Sequence, residues 1–353
     1  MNKMISKFSL WLIGLFFLVI FLQWAIISPC EALILFENGK EQSYLYDKDK
    51  KLLTLQDSKK NEPLTVLRDT GQTLIIKLQD KKKVYVKDNF DRYRYLSTIF
   101  GKSQGTKKVA ILYIATGKYI IFWKKFYEAM EKYFLPRHEK TYFLFTDHDF
   151  MMVDKNVIKI HQDQLPWPFV TLKRFHFFDA IKDQLKEYDY IYFLNGTMLP
   201  VAEINEEIFP TEEQQIMVTL HPGNWFKSRF QFPYDNNKKS QAYIPDYEGD
   251  YYVMGGFNGG TRTGFLTLIE TLKIWTDIDI KNKAIPAWHD ESMLNRYLVT
   301  VMNKGERPLI LLPEYAIPQT GHGWVDELRP YTKMLILDKG LYGGHGYLRS
   351  FEK

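Results

Sequence analysis

KVAILYIATGKYIIFWKKFYEAMEKYFLPRHEKTYFLFTD, residues 108–147, sets the fold. VAILYIAT (109–116) is a short apolar run rich in strand-forming residues, and TYFLFTD (141–147) is another. Between them Phe122, Phe126, Met130 and Tyr133 recur at helical spacing, which predicts a helix over 120–133. The alternation continues with a helical stretch over 170–185 and a third strand in YDYIYFLNGT (188–197). Strand, helix, strand in this order predicts an α/β fold with a mostly parallel sheet covered by helices. In such sheets the ligand sits beyond the carboxyl ends of the strands, here Ile114–Tyr119, Thr146–His148 and Asn195–Met198.

Upstream the pattern changes. From about Ala32 to Gln104 short alternating runs such as LTVL (64–67), TLIIKLQ (73–79) and KVYVKD (83–88) predict small β-hairpins, a stem or accessory module over 29–105 to which no chemistry is assigned. Before it, Phe8–Ile27 carries no charge and is long enough to span a hydrocarbon core as a helix. Ser28, Pro29 and Cys30 make a poor cleavage site, so the run reads as a signal anchor over 8–28. Lys3 and Lys7 on the near side place a tail of residues 1–7 in the cytoplasm and the body across the membrane. Localisation is then a single-pass type II membrane protein, in the Golgi of a eukaryote or the inner membrane of a bacterium.

Composition excludes more than it selects. The 47 Lys and Arg against 42 Asp and Glu are scattered, so no nucleic-acid partner is indicated. A single cysteine, Cys30, rules out an intrachain disulfide and a cysteine-built metal site. No internal repeat is present.

Three clusters remain: YIATGKY (113–119), the long polar and aromatic stretch 221–261 with paired glycines, read as a loop, and AWHDESMLNRYLV (287–299). Within them VTLHPG, SQAYIPDYEGDYYVMGGFNGGT and AWHDESMLNRYL, in this order, resemble glycosyltransferase family 6, the family of the ABO blood-group transferases and α1,3-galactosyltransferases. The resemblance runs from about Lys108 to the C-terminus, a catalytic domain over 106–353. It implies a GT-A fold, a UDP-sugar donor, a galactose-containing glycan acceptor, a retaining mechanism and an α1,3 linkage.

Residue by residue, the resemblance places Ile114, Ala115 and Tyr119 around the uridine, with Val170 and Arg174 nearby. His221 would bind a galactose, and Trp288 would stack under the acceptor sugar. Glu291 would be the catalytic carboxylate and an acceptor contact, and Asp290 would hold donor hydroxyls. Core packing for Tyr119 and Trp288, and a helix-dipole preference for Asp290 and Glu291, are the structural alternatives. Met254, Gly255 and Gly256 would lie on the donor, where a small residue at 256 leaves room for an N-acetyl group and favours UDP-GalNAc over UDP-Gal.

One departure stands out. Metal-dependent relatives carry Asp-x-Asp after the strand matching YIYFL, whereas this chain has Asn195-Gly196-Thr197. Asn195 and Thr197 supply no anion to a hard cation, so the expectation is no metal ligand and no cofactor, with UDP held by side chains. Lys118, Arg174, Lys227, Arg229, Lys333, Lys339 and Arg349 are the candidate cations. Two rivals stay open: a catalytically silent sugar- or UDP-binding protein, and a hydrolytic metal site built from His221, His289, Asp290 and Glu291.

Overall fold

The computed structural model describes residues 30–37, 40–56, 63–87, 91–100, 105–149, 154–321 and 323–351. The expected anchor helix lies outside them, and among the described residues no helix is long and apolar enough to cross a membrane. Contacts divide the chain into two compact units. The smaller runs to Gln79 and resumes at Tyr85–Tyr95, while the larger takes Asp80–Val84 and everything from Leu96.

The alternating runs of the N-terminal segment pair in sequence order as β1 (Cys30–Glu37), β2 (Lys40–Asp47), β3 (Leu52–Leu55), β4 (Leu64–Asp69), β5 (Thr73–Leu78), β6 (Lys81–Lys87) and β7 (Tyr93–Phe100). β7 then returns parallel to β1, with Leu35 opposite Tyr93, and closes a barrel. Separate hairpins were the sequence expectation. A lone hairpin cannot bury its apolar face, and closure removes the open edges. Leu35, Tyr46, Leu53, Val66, Ile76 and Tyr85 pack inside.

The larger unit is built on a seven-stranded sheet. Its members are β8 (Lys108–Ile114), β9 (Glu139–Thr146), β10 (Val157–His161), β11 (Tyr190–Leu194), β13 (Ile216–Leu220), β14 (Val253–Thr261) and β15 (Leu309–Leu311), in the order β10-β9-β8-β11-β14-β13-β15. A small second sheet pairs β12 (Met198–Pro200), β17 (Met334–Ile336) and β16 (Ile317–Pro318). The expected α/β architecture is present, with parallel pairing from β10 through β11. The sheet is nonetheless mixed, because β14 runs antiparallel to both β11 and β13.

β14 lies inside the stretch read as a loop, and every one of its nine residues is buried. Four of them are glycine, a residue poor in strand propensity, which hides the strand from pattern reading. The glycine has a packing reason. Tyr192 of β11 sits directly opposite Gly259, and a Cβ at 259 would come within 2.1 Å of the Tyr192 ring. The ring covers the bare backbone, and its hydroxyl donates to the Ile208 carbonyl at 2.8 Å.

Helices flank the sheet. The predicted helix 120–133 appears as a 3₁₀ turn over Gly117–Phe122 followed by α1 (Trp123–Tyr133), whose buried face is Phe126 and Met130. The helical stretch 170–185 is broken into α2 (Phe169–Leu172), α3 (Arg174–Asp179) and α4 (Lys182–Leu185), because Lys173 and Ile181 leave helical backbone angles. α5 (Arg262–Lys281) follows β14, and α6 (Asp290–Asn303) packs on both. The chain closes with a 3₁₀ turn over Lys339–Tyr342 and α7 (Gly344–Arg349). β8 and β11 end, and antiparallel β14 begins, at one edge of the sheet, and α6 starts beside it.

Candidate active site

At that edge lies a cavity of about 490 Å³. Its floor is Ile114 from the end of β8, Asn195 just past β11, and Gly255 and Gly256 from β14. One wall is Trp288, His289, Asp290 and Glu291 at the start of α6; the other holds Tyr119, Lys339 and Arg349.

Glu291 is fixed at both oxygens. Oε1 accepts the Tyr252 hydroxyl at 2.8 Å and Oε2 accepts the Gly255 N–H at 2.8 Å. Burial and the Glu291 charge push the Tyr252 hydroxyl well above its ordinary value, so it stays protonated and always donates. The carboxylate also sits in the first turn of α6, where the helix dipole favours negative charge. Asn295, one turn on, binds the backbone of Val253 in both directions, its Oδ1 accepting from N–H at 2.9 Å and its Nδ2 donating to C=O at 2.8 Å. This clips α6 to the start of β14.

Arg174 is buried beneath this corner. Its guanidinium pairs with Asp290 and donates to the Gly255 carbonyl at 2.8 Å. Burial lowers it to about 9, opposed by the Glu291 carboxylate, which leaves it charged at neutral pH. Gly255 is the residue that lets these groups meet, since a Cβ there would come within 2.9 Å of Asp290 and 3.0 Å of Arg174.

Two cations, Lys339 and Arg349, also line the cavity, with no carboxylate within ion-pair distance among the described residues. Burial, and then Arg349, lower Lys339 to about 8. The Arg349 guanidinium stacks on the Trp167 ring at 3.5 Å, and its Nε is buried without a partner. Tyr119 lies beneath Lys339, 5.7 Å from its ring centre. The pair is a ready counter-charge for an anionic ligand.

The structure gathers Ile114, Tyr119, Val170, Arg174, Asn195, Gly255, Gly256, Trp288, Asp290 and Glu291 around the cavity. Trp288 is 54% exposed, so core packing is not its role. Ala115, Thr197 and Met254 are buried behind the lining. His221 stands outside the lining, yet close enough to Glu291 to feel its charge; burial lowers its pKa against that attraction. Its Nδ1 accepts from the Gly223 N–H at 3.0 Å, so the neutral ring carries its proton on Nε2.

Four expected cations are elsewhere. Lys118 donates to Ser350 Oγ at 2.8 Å, Lys227 to Asn224 at 2.9 Å and Lys333 to the Glu203 carbonyl at 2.6 Å, while Arg229 is paired with Asp250 at 2.7 Å. None lines the cavity. Arg174 lines it with its charge already matched by Asp290.

Sequence reading missed Gln164, Leu165, Trp167 and Phe193 in the lining. His289 was given no donor- or acceptor-binding role. It takes a left-handed backbone with φ 54 and packs edge-on against Trp167 at 4.9 Å. A non-glycine residue held there signals a turn over-determined by its surroundings.

The segment Asn195-Gly196-Thr197 just past β11 does not suit a hard cation. Asn195 offers a neutral amide, and Thr197 is buried with its carbonyl taken by the Leu337 N–H at 2.8 Å. Among the described residues no three His, Cys, Asp or Glu side chains gather as a metal site, which leaves the hydrolytic alternative without a ligand set.

A carboxylate held at both oxygens, an exposed tryptophan beside it and two cations thus line one cavity. The profile of Glycosyltransferase family 6 matches residues 49–336. The chain belongs to glycosyltransferase family 6. It is therefore a glycosyltransferase. The O-antigen biosynthesis glycosyltransferase WbnI of Escherichia coli is 33% identical over 213 residues, 60% of this chain and 88% of its own length. Histo-blood group ABO system transferase 1 of Rattus norvegicus is 30% identical over 223 residues, covering 61% of this chain and 62% of its own. The Gallus gallus globoside alpha-1,3-N-acetylgalactosaminyltransferase 1 is 29% identical over 221 residues, 59% and 61% respectively. For these two animal proteins the match spans less than two thirds of their length.

Proposed function

We propose that this family 6 glycosyltransferase moves GalNAc, or Gal, from UDP to the 3-hydroxyl of a galactose-containing glycan, with retention and without a divalent metal. The observation that carries the reading is Glu291, held at both oxygens and flanked by an exposed Trp288 in the cavity wall. In the reaction the bond from the anomeric carbon to the phosphate oxygen breaks, and its electron pair leaves with UDP. Glu291 stabilises the positive charge that builds on that carbon. The acceptor oxygen then forms the new bond and passes its proton to the phosphate oxygen that has left, while Lys339 and Arg349 offset the remaining charge of the diphosphate.

The α1,3 linkage is supported by the activity named for the globoside relative, and the glycan acceptor by the O-antigen and blood-group relatives. GalNAc is favoured by Gly256, which lines the cavity and brings no side chain into it. Metal independence is supported by the neutral Asn195 and by Lys339 and Arg349, which line the cavity with no carboxylate partner among the described residues. The charge-free run 8–27 supports a type II membrane anchor.

The test is a screen of UDP-GalNAc and UDP-Gal against galactose-terminated acceptors with EDTA present, repeated with Glu291→Gln. Product in EDTA with the wild type, and a loss of at least about a hundredfold in the variant, is expected. Binding of UDP with neither transfer nor donor hydrolysis would establish the silent-binder reading instead.

A further inference from the structure

Two buried aspartates outside the cavity lining are not used by this mechanism. Asp235 is 2% exposed and Asp279, near the end of α5, is fully buried. Asp279 accepts the Ser240 hydroxyl at 2.5 Å and the Gln241 N–H at 2.7 Å. Asp235, at the other end of the same loop, accepts the Asn237 N–H at 2.9 Å and the Ala287 N–H at 2.7 Å. The loop closes on itself where the Ile244 N–H donates to the Asp235 carbonyl at 3.1 Å.

Neither carboxylate has a cationic side chain within ion-pair distance among the described residues. Each charge is offset only by O–H and N–H donors, so these bonds are charge-assisted and fix geometry closely. The loop is thus sewn to α5 at one end and to Ala287 at the other. Ala287 is the residue immediately before Trp288, in a stretch (284–289) that belongs to no helix or strand. Trp288 itself is tied through its backbone alone, its N–H donating to Ser292 Oγ at 3.0 Å and its carbonyl accepting the Glu291 N–H at 3.0 Å, so no hydrogen bond among the described residues fixes its ring.

We propose that Asp235 and Asp279 are positioning residues for acceptor recognition: through Ala287 they set the angle at which the Trp288 ring faces the acceptor sugar. The proposal rests on the reading of Trp288 as the acceptor platform. Neither aspartate hydrogen-bonds a residue assigned to the donor, since their partners are Asn237, Ala287, Ser240 and Gln241, so donor binding serves as the internal control.

The experiment measures three quantities for wild type, Asp235→Asn, Asp279→Asn, Trp288→Ala and the double variant Asp235→Asn/Trp288→Ala. They are UDP-sugar hydrolysis without acceptor, donor KM, and acceptor KM. Asp235→Asn is expected to raise acceptor KM about tenfold, as loss of a charged hydrogen bond does, with hydrolysis and donor KM within about twofold of wild type. Asp279→Asn moves the same way by less, and the double variant is no worse than Trp288→Ala alone. An unchanged acceptor KM in Asp235→Asn, or hydrolysis and transfer falling together, overturns the proposal. So does failure of both aspartate variants to fold. If Trp288→Ala leaves acceptor KM unchanged, the platform reading itself fails, a result distinct from an effect of Trp288→Ala without one of Asp235→Asn.

Discussion

Glu291 depends on a neighbour that pattern reading did not mark. Besides Tyr252, the groups facing it are Arg174, Asp290 and His221. Tyr252→Phe removes one donor from the carboxylate and leaves its bulk in place. One carboxylate oxygen is then free to turn, so the face it presents to the anomeric carbon is no longer fixed. kcat is expected to fall about tenfold with donor KM little changed, as initial-rate kinetics will read. Lys339 gives a pH dependence. With its value near 8 in the free enzyme, it is charged below that pH and neutral above, so kcat/KM for the donor should drop as pH passes 8. Lys339→Arg is always protonated and should abolish that drop. Glu291 and Trp288 were legible because the WHDES resemblance carries them. Lys339 and Arg349 were not separable from Lys118, Lys227, Arg229 and Lys333, since charge in a sequence carries no position. Gln164 and Trp167 left no signal, because loop residues reach the cavity only through tertiary packing.

Strand β14 shows where element reading runs out. β8, β9 and β11 announce themselves by branched and aromatic runs, and helix α6 by its apolar spacing. β14 substitutes glycine for side chains so that Tyr192 can lie on its backbone, which erases the pattern that would have revealed it. Gly259→Ala drives a methyl into that ring and should cost about 3 kcal/mol by chemical denaturation. Gly196→Ala is the control: its Cβ would meet Tyr119 at an ordinary 3.5 Å, so stability should change by less than about 0.5 kcal/mol. The barrel was half legible. Alternation and turns gave the strands, but closure depends on β1 meeting β7, a pairing between distant residues that no local window contains.

For the whole molecule, the order of the chain matters as much as the sheet. It enters the larger unit at Asp80–Val84, leaves it for Tyr85–Tyr95, and returns at Leu96. Within the larger unit Ser97 donates to the Ile310 carbonyl at 2.9 Å and Gln214 to the Thr98 carbonyl at 3.0 Å. A protein beginning at Gly105 loses both bonds along with Asp80–Val84. It should melt lower than one beginning at Cys30, by about 2 kcal/mol for the two bonds alone, as calorimetry will show.

The unpaired Lys339 and Arg349 carry a further consequence, for the end of the cycle. Cations that welcome a leaving diphosphate also detain it, so slow escape of the spent nucleotide is the expected brake on turnover. Free UDP should then be a potent product inhibitor, and added salt should quicken its release while weakening capture of the next donor.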